Sequence, residues 1–182
     1  MEEWVAVLDA SGQETGKTIL KSEAHAKGIF HPTIHVWCYT IDGRVLLQQR
    51  GAQKETYPLK WDVSVAGHIS AGESPEVGAV REVAEEIGAT IISEKLEKIG
   101  VFKTEKRHAA TFWDREFTHT YLYLLDANTP LVKQASEVEA LEWVLLEDFE
   151  IQIQEQPSKF VPNATDRYRY IIHEIRLRLQ GS

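Results

Sequence analysis

The chain has 182 residues, 43% hydrophobic and 26% charged, a balance that supports a packed globular core and excludes a disordered chain. Acidic residues outnumber basic ones 28 to 20, for a net charge of −8; this disfavours nucleic acid and anionic membrane as partners, and a phosphate ligand would need a cation to mediate its contact. Cys38 is the single cysteine, which excludes an intrachain disulfide, argues against a cysteine-based zinc site and suits a reducing cytoplasm.

The first residues, MEEWVAVLDASG, have neither a basic n-region nor an apolar h-region, so no signal peptide is expected. Trp4–Leu8 reads as a strand that ends in the turn Asp9-Ala-Ser-Gly12. His35–Ile41, Asp42-Gly43 and Arg44–Gln49 form a hairpin signal, two β-rich runs about an Asp-Gly turn. Val63–Ala66 is a short strand ending at Gly67. Pro75–Ile87 reads as a helix, with Ser74 as N-cap, proline at the first position and Gly88 as the stop. Its apolar stripe is expected to comprise Val77, Val80, Val83, Ala84 and Ile87. Lys98–Lys103, Thr118–Leu125 and Leu141–Leu146 are further β-type stretches, and a short helix is expected near Leu146–Gln154. Asp166–Leu179 closes the chain as a helix, with Tyr168, Ile171, Ile172, Ile175 and Leu179 on one face. No apolar run approaches the ~20 residues of a membrane helix. The pattern indicates one α/β or α+β domain over residues 1–182, without regular βαβ alternation.

On the Pro75–Ile87 helix, Glu82, Glu85 and Glu86 stand at i, i+3 and i+4, within about 5–6 Å of each other on one face. Unneutralised, they repel; clustered carboxylates are what a hard cation such as Mg²⁺ or Mn²⁺ seeks. The loop Gly67–Gly72 before the helix can offer backbone carbonyls to a metal or backbone N–H groups to an anion. Arg81 is placed to pair with Glu73 and the helix carboxylates and to hold the array rigid. A Glu/Arg-rich stripe is ordinarily a solvated helix face, but the spacing here is specific. Residues 67–89 read Gly-x5-Glu-x7-Arg-Glu-U-x-Glu-Glu-x-Gly-U, U being a bulky aliphatic residue, with the small Ala89 at the last position. Seven fixed identities coincide by chance at on the order of 10⁻⁹ per start position.

This segment resembles the Nudix box at all seven fixed positions. The resemblance implies a Nudix fold, a mixed β-sheet sandwiched between helices, and Mg²⁺- or Mn²⁺-dependent hydrolysis of a diphosphate linkage in a nucleoside diphosphate derivative or an isoprenoid-type diphosphate. It implies that Glu82, Glu85 and Glu86 bind the cation or position its water, that the Gly67 carbonyl is a further ligand, and that Glu73 and Arg81 form the structural ion pair of the box. A glutamate of the box, or a later one such as Glu116, would take the proton.

From Val7 to Asp62 the chain is also similar to the subgroup containing isopentenyl-diphosphate isomerase, through Leu8-Asp9, Glu23-Ala-His25, His31, His35-Val-Trp37, Leu46-Leu-Gln-Gln-Arg50, Lys54 and Tyr57-Pro-x-x-Trp61. That similarity implies a second metal site at His25, His31, His68 and Glu116, with Asp114 where a second glutamate is usual, and diphosphate contacts from Arg50 and Lys54. Two departures separate the chain from the isomerases. Ala66 stands where they carry a catalytic cysteine, and the box is intact where theirs is degraded. The balance favours a hydrolase over an isomerase, and over a non-catalytic diphosphate-binding module, since such modules generally lose box glutamates. No run marks a recognition site for a base or for coenzyme A, and nothing in the sequence specifies an oligomeric state.

Overall fold

The computed structural model describes residues 3–162 and 165–181. Strands β1 (Trp4–Leu8) and β2 (Glu14–Leu20) form an antiparallel ribbon, and helix α1 (Lys21–Lys27) leads from it to the main sheet. That sheet has seven strands: β3 (His31–Tyr39), β4 (Arg44–Arg50), β5 (Trp61–Asp62), β6 (Val65–His68), β7 (Glu97–Ala109), β8 (Phe112–Leu124) and β9 (Val138–Leu145). The path runs β5-β4-β3-β8-β7, with β6 paired to β3 and β9 to β4. The β3–β8 pairing is parallel and the others are antiparallel, so the sheet is mixed. Helices α2 (Pro75–Ile87), α3 (Leu146–Glu155) and α4 (Thr165–Gln180) cover it, which makes the fold α+β with the sheet between helices, as expected.

The strand β3 is buried almost continuously because both of its faces are covered. Its residues sort with a period of two. Ile34, Val36 and Cys38 join Val83, Ile87 and Tyr121 in the core under α2. Trp37 and Tyr39 join Leu122, Phe149, Tyr168 and Ile171 in the core under α3 and α4. Two hydrophobic layers therefore grip the sheet from opposite sides.

The hairpin about Asp42-Gly43 is present, with Gly43 at φ 80 and its N–H donating to Thr40 O at 3.0 Å. Yet β4 pairs with β3 only at Tyr39↔Val45, and β6 takes the same edge of β3 from Thr33 to Val36. The sheet forks there.

Helix α2 has the expected bounds. Ser74 Oγ accepts from the Val77 N–H at 3.3 Å, and Gly88 ends the helix in the left-handed conformation at φ 68. The expected apolar stripe needs correction. Val77 is 53% exposed and Ala84 is exposed, whereas Gly78, Ala79, Glu82 and Glu86 are buried beside Val83 and Ile87. The buried face is rotated toward the glutamates because they face a cavity. The C-terminal helix runs one residue further at each end than its pattern predicts, with Tyr168, Ile171, Ile172 and Ile175 buried. Strand β2 and helix α1 were not foreseen in the sequence pattern, and β7 and β8 extend well beyond the expected stretches.

Candidate active site

Where the sheet forks, a cavity of about 1360 Å³ opens, lined by residues of the box, the strand ends and α4. Its first feature is the contact of Gly67 with Glu82. A Cβ built on Gly67 would lie 2.1 Å from Glu82 Cδ and 2.4 Å from Oε1. Gly67 is required for this close approach of carboxylate to backbone. Arg81 holds the array. Its Nε donates to Glu73 Oε1 at 3.0 Å, Nη1 to Glu82 Oε1 at 2.8 Å and Glu85 Oε2 at 3.2 Å, and Nη2 to the His68 carbonyl at 2.9 Å.

The three helix glutamates differ in environment. Glu82 and Glu86 are buried, whereas the Glu85 side chain is 51% exposed. Glu86 Oε2 accepts from Gln48 Nε2 at 2.8 Å and from the Ala66 N–H at 3.3 Å. Burial pushes the Glu86 carboxyl up to about 7, with the Glu82 charge adding to the effect. Burial also raises Glu82, against the pull of Arg81. A cation placed beside them would favour ionisation of both carboxylates.

A second group lies on the face of the sheet under α4. His25, His31, His68 and Glu116 bring one ligand atom each to within 4.8 Å of one another. Helix α1 carries His25, β3 carries His31, β6 carries His68 and β8 carries Glu116. The hydrogen bonds fix which ring nitrogens face inward. His25 Nδ1 donates to Trp113 O at 3.1 Å and His31 Nδ1 to Ile29 O at 2.8 Å, leaving bare Nε2 atoms on the neutral rings. His31 Nε2 is buried without a hydrogen-bond partner, and His25 Nε2 stands 3.2 Å from His68 Nε2. The unpartnered Nε2 of His31, beside the facing Nε2 atoms of His25 and His68, fits a metal ion. Three imidazoles and a carboxylate suit a transition metal better than Mg²⁺.

The electrostatics keep two of the three rings, His31 and His68, neutral. Burial pushes His31 down to about 4 and, helped by the neighbouring His31, holds His68 well below the usual imidazole range. Burial also acts to lower His25, but Asp114 overcomes it and the net shift is upward. Asp114 Oδ1 lies 3.4 Å from His25 Nδ1 and its Oδ2 is 2.6 Å from His108 Nε2. Glu116 is pushed up to about 7, by burial first and then by Asp114.

Arg50 and Lys54 line the cavity, and each is already engaged. Arg50 donates from Nε to Thr56 O at 3.0 Å and from Nη2 to Thr56 Oγ1 at 3.1 Å, with Asp62 3.8 Å from Nη1. Lys54 pairs with Glu137. Sequence reasoning missed Gln48, which orients Glu86, and Arg167, which enters the cavity from α4. Gln48 was legible in principle, as a polar residue inside an apolar strand.

A carboxylate-bearing loop and helix packed on a mixed sheet between helices define a Nudix fold. A crystal structure of the Deinococcus radiodurans protein DR0079 has the same fold, with a TM-score of 0.70 at 18% identity, over 92% of this chain and 98% of that one. The NUDIX domain model matches residues 29–164, and the chain belongs to that family. It is 34% identical to Nudix hydrolase 3 of Arabidopsis thaliana over 98% of its own length, although it spans only 24% of that protein. It is 32% identical to an isopentenyl-diphosphate delta-isomerase of Nocardia farcinica, over 87% of this chain and 88% of that one. No helix among the described residues is long and apolar enough to cross a membrane.

Proposed function

We propose that residues 1–182 form a single metal-dependent domain that hydrolyses a diphosphate linkage in a polar small molecule. The observation that carries this is the seating of Glu82 against Gly67, with buried Glu86 beside it in the same cavity. Glu82, Glu86 and the Gly67 carbonyl would hold Mg²⁺ or Mn²⁺, with Glu85 at the solvent side. When bound, the cation neutralises the diphosphate and acidifies a coordinated water. The chain's own groups do the rest. Arg81 and Glu73 keep the carboxylates in place, and Gln48 and the Ala66 N–H orient Glu86. Glu116, poised near neutrality, can accept a proton or complete the His25–His31–His68 site. Arg50 and Lys54 would exchange part of their present contacts for phosphate oxygens.

Charged side chains from α2, β7, β8 and α4 line the space and suit a polar substrate, beside the aromatic rings of Trp37, Tyr57, Phe112 and Tyr168. The isomerase reading is supported by the Nocardia relative and the histidine cluster. Against it stands Ala66, whose methyl group cannot donate a proton. Cys38 cannot replace the missing cysteine, since it is fully buried in the core under α2 and pushed up to about 12. The test is a panel of diphosphates with Mg²⁺, assayed for phosphate or monophosphate release, with isopentenyl diphosphate assayed for double-bond migration. Release from at least one nucleoside diphosphate derivative supports the reading. Double-bond migration without release overturns it.

A further inference from the structure

We propose that Arg167 and Lys106 form a second anion subsite, which takes an anionic group of the ligand lying outside its diphosphate. The proposal rests on the reading of the cavity as a diphosphate site and narrows its substrate class to molecules with an additional phosphate.

Most cations around the cavity have counter-charges. Arg81 is bonded to box glutamates, Lys54 is paired with Glu137, Lys21 with Glu3 and Lys103 with Glu105. Arg167 and Lys106 differ. Among the described residues, Arg167 has a single hydrogen bond, a long one of 3.4 Å from Nη2 to Thr104 Oγ1, and its guanidinium lies 5.0 Å from the Phe102 ring centroid. The Lys106 side chain has no hydrogen bond or ion pair there; its ammonium lies 4.9 Å from the Tyr57 ring centroid. Both residues line the cavity and both are partly buried. A cation taken out of water without a bonded counter-charge is costly, and an incoming anion would offset that cost. Burial lowers the Arg167 pKa, while Asp62 and Glu116 oppose the shift without forming an ion pair.

Their place in the sheet separates them from the box. Along β7 the residues alternate between exposed and half-buried, and Thr104, Lys106 and His108 share the half-buried face. Thr104 pairs with Glu116 and Lys106 with Asp114, and Glu116 pairs in turn with His31 of β3. This face is covered by α4, while α2 and its core lie on the opposite face. Strand β7 is also two strands from β3, about 10 Å at ordinary strand spacing. The box carboxylates reach the cavity from the other side, at the β6 edge, where Gly67 meets Glu82. An anion at Arg167 and Lys106 is therefore a different group from one held at the box. Thr104, which accepts from Arg167, and His108, bonded to Asp114, lie along the same row.

Equilibrium titration of the full chain tests this, with Ca²⁺ in place of Mg²⁺ to suppress turnover. The probes are NADH with NADPH, and dephospho-coenzyme A with coenzyme A; each pair shares a diphosphate and differs by one ribose phosphate. The phosphorylated member of at least one pair should bind about tenfold tighter or better, as a charge-assisted contact would give. Arg167→Gln and Lys106→Met should each erode that preference while leaving the unphosphorylated member unchanged. Arg167→Lys keeps the charge and should retain part of it, and it serves if Arg167→Gln melts prematurely. Equal binding within both pairs by the unmodified protein overturns the proposal, as does a preference that survives in all variants that fold. Mg²⁺-dependent hydrolysis is scored separately. A phosphate preference without hydrolysis of any diphosphate leaves the subsite standing and removes the hydrolase reading; hydrolysis without the preference does the reverse.

Discussion

Glu86→Gln should make the metal-free protein more stable and the enzyme far less active. Both hydrogen bonds to Glu86 land on one oxygen, Oε2, from Gln48 and from the Ala66 N–H. A glutamine can keep its carbonyl oxygen there and turn its NH₂ into the cavity, so packing is preserved. The carboxyl it replaces has been raised by burial from 4.5 to about 7. Because the folded state resists ionising this group, its contribution is neutral below about pH 4.5. The contribution turns unfavourable as pH rises, and the full cost of about 3 kcal/mol is present above pH 7. Urea denaturation in EDTA should therefore show equal stability of the two proteins near pH 4.5 and a gain for Glu86→Gln at pH 8.5. Adding Mg²⁺ should stabilise the unmodified protein more than the variant, by mass action on the folded state. Turnover of the best diphosphate should fall by on the order of 10²–10⁴. Exposed Glu142 on β9 is the control; Glu142→Gln should change neither quantity beyond about 0.5 kcal/mol or threefold. If Glu86→Gln were no more stable at pH 8.5 than at 4.5 and retained turnover, Glu86 would be neither a strained buried charge nor a metal ligand.

Gly67→Ala should abolish hydrolysis, because the added Cβ would occupy space now held by the Glu82 carboxylate; activity within threefold of the parent would remove Glu82 from the site. Excess EDTA should silence the enzyme, and activity restored by Mg²⁺ or Mn²⁺ should climb toward alkaline pH as a bound water ionises; full activity in EDTA would dismiss the metal assignment. Burial, aided by Arg167 and Arg50, pushes His35 down to about 3, whereas an unfolded histidine titrates near 6.5. The unfolded state thus binds a proton first, and stability should fall as pH drops from 6.5 toward 3. His35→Gln should lose about 2 kcal/mol less than the parent between pH 7 and 5 in denaturant titrations, and equal losses would show that His35 titrates freely in the fold.

How much of this was legible followed from what each segment touches. Helix α2 was legible to the residue because Ser74, Pro75 and Gly88 are local signals acting on the backbone beside them. Helix α1 was not, since it has only seven residues, Leu20 gives it no side-chain cap, and just two of its residues are buried. Strand β7 was under-read for a different reason. Its inward positions Thr104, Lys106 and His108 face a polar cavity rather than the core, so no apolar alternation marks them. The box residues could be found because one helix and one loop carry them all. The convergence of His25, His31, His68 and Glu116 depends on four separate elements, and only a resemblance pointed to it. Arg167 escaped because it lies on α4 next to Tyr168, where the pattern reports the apolar stripe and is silent about the residue beside it.

The fork in the sheet has a consequence for how the chain can vary. Strand β4 is tied to β3 at one pair, Tyr39↔Val45, and its far end delivers Gln48 to Glu86. Its register is held instead by β9, along seven pairs from Arg44↔Leu145 to Arg50↔Val138. Side chains alternate along a strand, so that ladder sets which face Gln48 occupies. A slip of one residue against β9 would present Leu47 or Gln49 to the carboxylates and send Gln48 to the other face. The β4–β9 ladder thus acts as a ruler for the cavity, and the Asp42-Gly43 turn, joined to β3 at one pair, is free to change in length without moving Gln48.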